Sequence, residues 1–206
     1  GNGLVFVSCW CKISKLMLEL FSFVTIFYLI LISVIGYGVF FQNIILGRIK
    51  KIDNQKTIYL GFYGLLFLTF LSLVTSFFFK HGYTHNILTH LVGIFCFFYF
   101  KTNKKRNYLK YILIISLLTF VALLISKTHD DFSYYHLPFT KYLTEQKIIF
   151  GLGHIGHGYN LLSSLFYLNS IFYLPLIDYY SFHFSHLLFL IFFNFFLIKE
   201  ITYYKN

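Results

Sequence analysis

Residues 20–41 read LFSFVTIFYLILISVIGYGVFF, and no charged side chain occurs between Leu20 and Phe41. A helix rises about 1.5 Å per residue, so this stretch matches the roughly 30 Å hydrocarbon core of a bilayer. It is too long for a signal-peptide core and lacks a small-residue cleavage site, so it reads as a retained signal anchor. Five further apolar stretches approach the same length: Thr57–Phe79, Tyr83–Phe100, Tyr108–Ile125, Leu161–Ile177 and Tyr179–Ile198. Lys110 stands near the start of the third of these, where its stem can carry the charge to the interface. Leu161–Ile177 is short and holds Pro175, which predicts a kink or a shallow end. Segments of this length are helices, since a membrane barrel alternates in segments of about ten residues.

The predicted fold is therefore all-α, a polytopic transmembrane bundle of about six helices. Four lie in residues 17–125, an extracytoplasmic loop with an amphipathic helix occupies 126–160, and two more with a tail fill 161–206. Residues 1–16, ahead of the single methionine Met17, read as a doubtful leader. The abrupt last apolar run predicts that the sequence is the N-terminal part of a longer protein.

Composition agrees. Hydrophobic residues make up 58% of the 206 and charged residues 12%, with mean hydropathy +0.70. Soluble domains carry roughly 25% charged residues. A soluble globule, a disordered chain and a nucleic-acid binder are set aside, because the excess of Lys and Arg sits in short clusters between apolar runs. Cys9, Cys11 and Cys96 have no metal-site or disulfide-framework spacing.

The basic clusters orient the bundle. Arg48, Lys50, Lys51 and Lys56 fall in one connection, and Lys101, Lys104, Lys105, Arg106 and Lys110 in another; the 80–86 turn between them has Lys80 alone. The 47–56 and 101–110 connections are thus expected in the cytoplasm. The 80–86 turn and the 126–160 loop are expected on the other side, along with His81, His85, His90, His129, His136, His154, His157, Asp130, Asp131 and Glu145.

On that face Asp130 and Asp131 directly follow a membrane helix. Two adjacent carboxylates at a low-dielectric boundary resist double ionisation or recruit a cation, which suits a general base or a divalent-metal ligand. The alternative is a solvated turn with Asp131 as a helix N-cap. Tyr135, Phe139, Tyr142, Leu143 and Gln146 then recur at helical spacing, predicting an interfacial helix with its aromatic face towards lipid. An ordinary connecting helix is the alternative. The stretch from Gly151 to Gly156 fits G-x-G-x-x-G, but no βαβ unit surrounds it, so it reads as a tight loop and not a dinucleotide site. His81, His85 and His90 suggest a metal set by spacing, though hydrogen-bonded interfacial histidines are commoner. Asn169 and Asn194 are polar but uncharged within apolar runs, and the lack of ionisable groups there argues against an ion-coupled carrier.

A membrane helix leading into an acidic extracytoplasmic loop and an amphipathic helix resembles the first such loop of GT-C glycosyltransferases. The stretch Asp131-Phe132-Ser133-Tyr134-Tyr135-His136-Leu137-Pro138, followed by Gly151-Leu152-Gly153-His154 and Tyr159-Asn160, is similar to a family of bacterial multi-pass membrane proteins with GT-C-like layout. That family shares a D-x-x-x-Y-H-L-P pattern and a G-L-G loop. The resemblance implies an integral-membrane glycosyltransferase of the bacterial inner membrane that takes sugar from a polyprenyl-phosphate donor on the non-cytoplasmic face. Asp131, assisted by Asp130, is the implied base or divalent-metal contact. Lys127, His136, Lys141, His154, His157 and Asn160 are the expected substrate-binding residues, with the lipid bilayer and the lipid-linked sugar donor as partners. The alternatives are a non-catalytic membrane component of polysaccharide assembly or export, and a solute transporter.

Overall fold

The computed structural model describes residues 2–46, 59–100, 105–125, 131–151, 154 and 163–204. Among the described residues there is no β-strand. Seven α-helices follow in order: α1 (Asn2–Phe40), α2 (Leu60–Ser76), α3 (Tyr83–Tyr99), α4 (Lys105–Ile125), α5 (Leu137–Glu145), α6 (Ser164–Ile171) and α7 (Phe184–Tyr204). A wide π-helical turn extends α1 over Phe41–Leu46, and a 3-10 turn at Asp178–His183 leads into α7.

Among the described residues two helices are long and apolar enough to cross a membrane: Met17–Ile44, with mean hydropathy 2.4, and Asp178–Thr202, with 1.8. Helices α2 and α3 have 17 residues each. The stretch Leu161–Ile177, expected to span, does not. Its helix α6 has eight residues, about 12 Å at 1.5 Å per residue. The helix ends at Ile171, before Pro175 and the position ahead of it, which proline biases away from helical geometry.

Helix α1 is the axis of the bundle, flanked by α2 antiparallel and α3 parallel to it. Small residues set this distance. A Cβ on Gly38 would stand 1.9 Å from the Leu60 carbonyl oxygen, and one on Gly64 1.9 Å from that of Val34. Only residues without a Cβ allow backbones so close. The main core joins Leu31 and Ile35 of α1, Leu65 and Leu68 of α2, Ile112 of α4, and Leu188 and Phe192 of α7.

Helix α3 turns its polar and small side inward. Asn86, Thr89, His90, Gly93 and Cys96 are buried, whereas Leu88, Leu91, Phe95 and Phe98 form an exposed stripe at i, i+3, i+7 and i+10. Helix α4 likewise exposes Leu113, Ile114, Leu117 and Leu118. An apolar stripe on the outside is the reverse of the pattern on a water-facing helix.

Direct contacts fix which segments share an end. The backbone N–H of His81, in the α2–α3 turn, donates to the Leu143 carbonyl at 2.9 Å, and that of Ile148 donates to Ser76 at 2.9 Å. The Phe132 ring stacks on His183, just before α7, at 4.8 Å. At the opposite end Tyr59 meets Phe196 at 5.9 Å, and Lys199 Nζ lies 4.4 Å from the Tyr111 ring centre. The 80–86 turn and the segment around α5, grouped together by the lysine counts, are thus in contact.

Candidate functional site

Asp131 opens a continuous helical path: a wide turn over Phe132–His136, then α5, with Pro138 in its first turn. Proline fits there because its missing N–H has no intrahelical partner at a helix start. Asp131 stands at the N-cap position of this turn, and its side chain makes no capping hydrogen bond there. Tyr135 Oη points back to Asp131 Oδ2 at 3.5 Å, a long contact. Partial burial first, then the Asp131 charge and hydrogen bond, push the Tyr135 hydroxyl above its ordinary pKa. It therefore remains a proton donor towards the carboxylate.

The apolar face of α5 meets protein and not lipid, which corrects the expected outward aromatic face. Phe139 and Leu143 are buried against Phe166 and Tyr167 of α6, with Tyr135, Tyr142 and Ile148 around them. Thr140 and Thr144, off that aromatic face, are buried too. The helix is amphipathic, but α6 supplies the surface it covers.

Between the wide turn, α6 and α7 lies a cavity of about 330 Å³. Tyr135 and His136 line it from the turn, Leu165, Phe166 and Asn169 from one face of α6, Ser163 from the α6 cap, and His186 from the first turn of α7. Ser163 Oγ accepts from Leu165 N at 3.3 Å and so starts α6. The His136 ring rests against Tyr135 at 4.4 Å and Phe166 at 5.1 Å. Asn169 is only 7% exposed, and among the described residues its Oδ1 has no hydrogen-bond partner. An unpaired buried acceptor costs on the order of 1–3 kcal/mol.

Of the residues expected from sequence, the structure brings Asp131 and His136 together through Tyr135. Lys141 does not line the cavity; its Nζ lies 3.8 Å from Glu145 Oε1 and 5.7 Å from the Tyr179 ring centre. His154 is exposed beside Gly151, to whose carbonyl its N–H donates at 3.0 Å. Lys127, Asp130, His157 and Asn160 lie outside the described residues. Asn169, Ser163 and His186 were not expected to line a site. Asn169 was visible as a polar residue in an apolar run, one turn from Leu165 and Phe166.

His81 and His90 are engaged inside the protein. His81 Nδ1 lies 2.5 Å from Ser170 Oγ and Nε2 3.1 Å from Thr75 Oγ1. His90 Nε2 donates to the Ile171 carbonyl at 3.0 Å, which leaves Nδ1 to accept from Ser33 Oγ at 3.1 Å. Among the described residues no group of three His, Cys, Asp or Glu side chains is placed to hold a metal ion. Asp130, half of the expected carboxylate pair, lies outside the described residues.

Among the described residues these features form an all-helical bundle with a cavity of mixed polar and apolar lining at one end, beside a carboxylate and under a short amphipathic helix. Residues 19–206 match the family described as a domain of unknown function, DUF8201, and the chain belongs to that family. No curated protein and no solved structure matches it.

Proposed function

We propose that this is a multi-pass membrane protein and a GT-C-like glycosyltransferase, acting on the non-cytoplasmic face of a bacterial inner membrane with a polyprenyl-phosphate-linked sugar as donor. Helices α1, α2, α3, α4 and α7 are the crossings in this reading, and α5 and α6 stay at the site end. The apolar stripes of α3 and α4 support the membrane setting, because lipid is the solvent that suits them. The lysine counts of the 47–56 and 101–110 connections support the orientation.

The observation that carries the catalytic reading is the cavity beneath the Asp131–His136 turn, lined by Tyr135, His136, Asn169 and His186. Its volume lies at the small end of the roughly 300–1,000 Å³ found for ligand sites, so it suits a head group and not a lipid chain. Asp131 takes the proton of an acceptor hydroxyl as that oxygen attacks the anomeric carbon. The bond from that carbon to the phosphate oxygen breaks, and polyprenyl phosphate leaves with the electron pair. Tyr135 holds the carboxylate in place, and no step needs a metal.

The test is sugar transfer by the full chain in nanodiscs from a panel of polyprenyl-phosphate sugars. Asp131→Asn is expected to cut transfer by about 10²–10⁴-fold, the usual contribution of a general base, with helix content unchanged. Retained transfer removes Asp131 from the mechanism.

A further inference from the structure

We infer that the end of α2 and the segment after α5 together form an anchor in the non-cytoplasmic leaflet, with phospholipid as its partner and Phe77, Phe78 and Phe150 at the edge of the hydrocarbon. The inference rests on the membrane reading and not on the chemistry of the cavity.

Helix α2 has 17 residues, about 26 Å at 1.5 Å per residue, which falls short of the roughly 30 Å hydrocarbon core. Its exposed apolar stripe, Leu66, Phe70 and Val74 at i, i+4 and i+8, does not stop with it. Phe77 and Phe78 follow Val74 at i+3 and i+4, and both are exposed. Two backbone hydrogen bonds lay the second segment alongside: His81 N donates to the Leu143 carbonyl and Ile148 N to that of Ser76, each at 2.9 Å. The Phe150 ring stacks on Phe77 at 5.9 Å and is 83% exposed. The pair thus adds apolar surface where α2 runs out.

Backbone and charge point to the same partner. A turn exposed to hydrocarbon needs its N–H groups satisfied within the protein. Phe78 N and Phe79 N both donate to the Thr75 carbonyl, at 3.0 and 2.8 Å, and the Ile148 amide is engaged by Ser76. Lys80 and Lys147, both exposed, flank the aromatic residues in sequence, and a lysine stem at a membrane edge carries its charge to the lipid phosphates. The aromatic face of α5, expected from sequence to touch lipid, is occupied by α6. The neighbouring pair makes the lipid contact instead, and through its two hydrogen bonds it holds α5 at the bilayer surface.

The experiment uses the full chain in phosphatidylcholine nanodiscs, with Trp10, its one tryptophan, replaced by Phe. Phe150→Trp and Phe78→Trp report on the anchor, and Phe70→Trp, near the middle of α2, reports on the membrane reading. Emission is quenched from the lipid side by acyl chains brominated near the head group or near the chain end. Acrylamide quenches from water, and its neutrality keeps the lysines from drawing it in. The 78 and 150 probes are expected to lose about half or more of their emission to bromine near the head group and little to acrylamide. The 70 probe is expected to respond more to bromine near the chain end. Quenching of the 78 and 150 probes by acrylamide and not by bromine overturns the inference, and a 70 probe that still answers to bromine leaves the membrane reading standing. Protection from both quenchers also overturns it, since protein and not lipid then covers the patch. Either anchor probe decides the question where the other variant fails to fold.

Discussion

Gly36 of α1 faces Gly93 of α3 so closely that a Cβ on Gly36 would stand 1.9 Å from the Gly93 carbonyl oxygen and 2.9 Å from Phe97 N. Both neighbours are backbone, so no side chain can swing aside. Gly36→Ala must push α3 away and is expected to cost at least the upper end of the ~1–3 kcal/mol seen for overpacked sites. Gly82→Ala is the control, since its nearest neighbour lies at 3.8 Å and its backbone is extended. Thermal unfolding in micelles should separate the two; equal melting temperatures would mean that α1 and α3 are not joined this tightly.

Asn86 holds the site end together by hydrogen bonds and not by apolar contact. Its Nδ2 lies 2.8 Å from the carbonyls of His81, Ser170 and Tyr173, tying the α2–α3 turn to the end of α6. The two Nδ2 hydrogens are shared among the three, and the Ser170 carbonyl also accepts from Tyr173 N at 3.4 Å; Asn86→Leu keeps the size and removes this donor, at on the order of 1–3 kcal/mol for each carbonyl left bare. Loss of the α6 contact should also loosen the cavity through Asn169, one residue from Ser170. Stability to chaotrope and sugar transfer should therefore decline together; a fully stable variant would show that other donors serve these carbonyls.

Helix α1 was legible because length and apolarity suffice to recognise it, and those are local properties. The same criterion misled at Leu161–Ile177, where a shorter and more polar run holds the eight-residue α6; Pro175 was the local hint. Amphipathicity in α5 was also readable, but which apolar surface covers Phe139 and Leu143 depends on Phe166 and Tyr167, more than twenty residues away. The cavity joins the turn at Tyr135 to Asn169 and His186, and no spacing rule spans such separations. The histidine spacing at His81, His85 and His90 invited a metal set, yet Ser170, Thr75 and Ser33 meet the His81 and His90 ring nitrogens instead.

His81 makes stability at the site end depend on pH. Burial first, then the charge of His85 stacked on it at 4.9 Å, lower its pKa from 6.5 to about 3, against a smaller opposing backbone interaction. The folded state thus stays neutral at His81 while the unfolded chain takes up a proton below about pH 6.5. The contribution is complete above pH 6.5 and is lost as pH falls towards 3. Melting temperature measured between pH 7 and pH 4 should fall more steeply for the wild type than for His81→Gln, which has no proton to gain there. Parallel slopes would place the acid sensitivity elsewhere.

The connection from α6 to α7 carries backbone strain that Tyr83 offsets. Leu176 and Asp178 adopt positive φ, 75° and 44°, a conformation costing a β-carbon residue roughly 1–2 kcal/mol. Asp tolerates it better than Leu, and Leu176 is 78% exposed, so no packing repays its strain. Tyr83 Oη donates to Asp178 Oδ1, and its ring stacks on Tyr173 at 4.6 Å, which pins the turn to α3. Tyr83→Phe keeps the stack and removes the donor, and is expected to destabilise by about 1 kcal/mol, discounted for exposure. Leu176→Asn relaxes the left-handed position and is expected to stabilise by up to about 1 kcal/mol. Unfolding measured in the same micelle should move in opposite directions for the two variants, and a stabilising Tyr83→Phe would show that the hydroxyl enforces the strained turn without offsetting it.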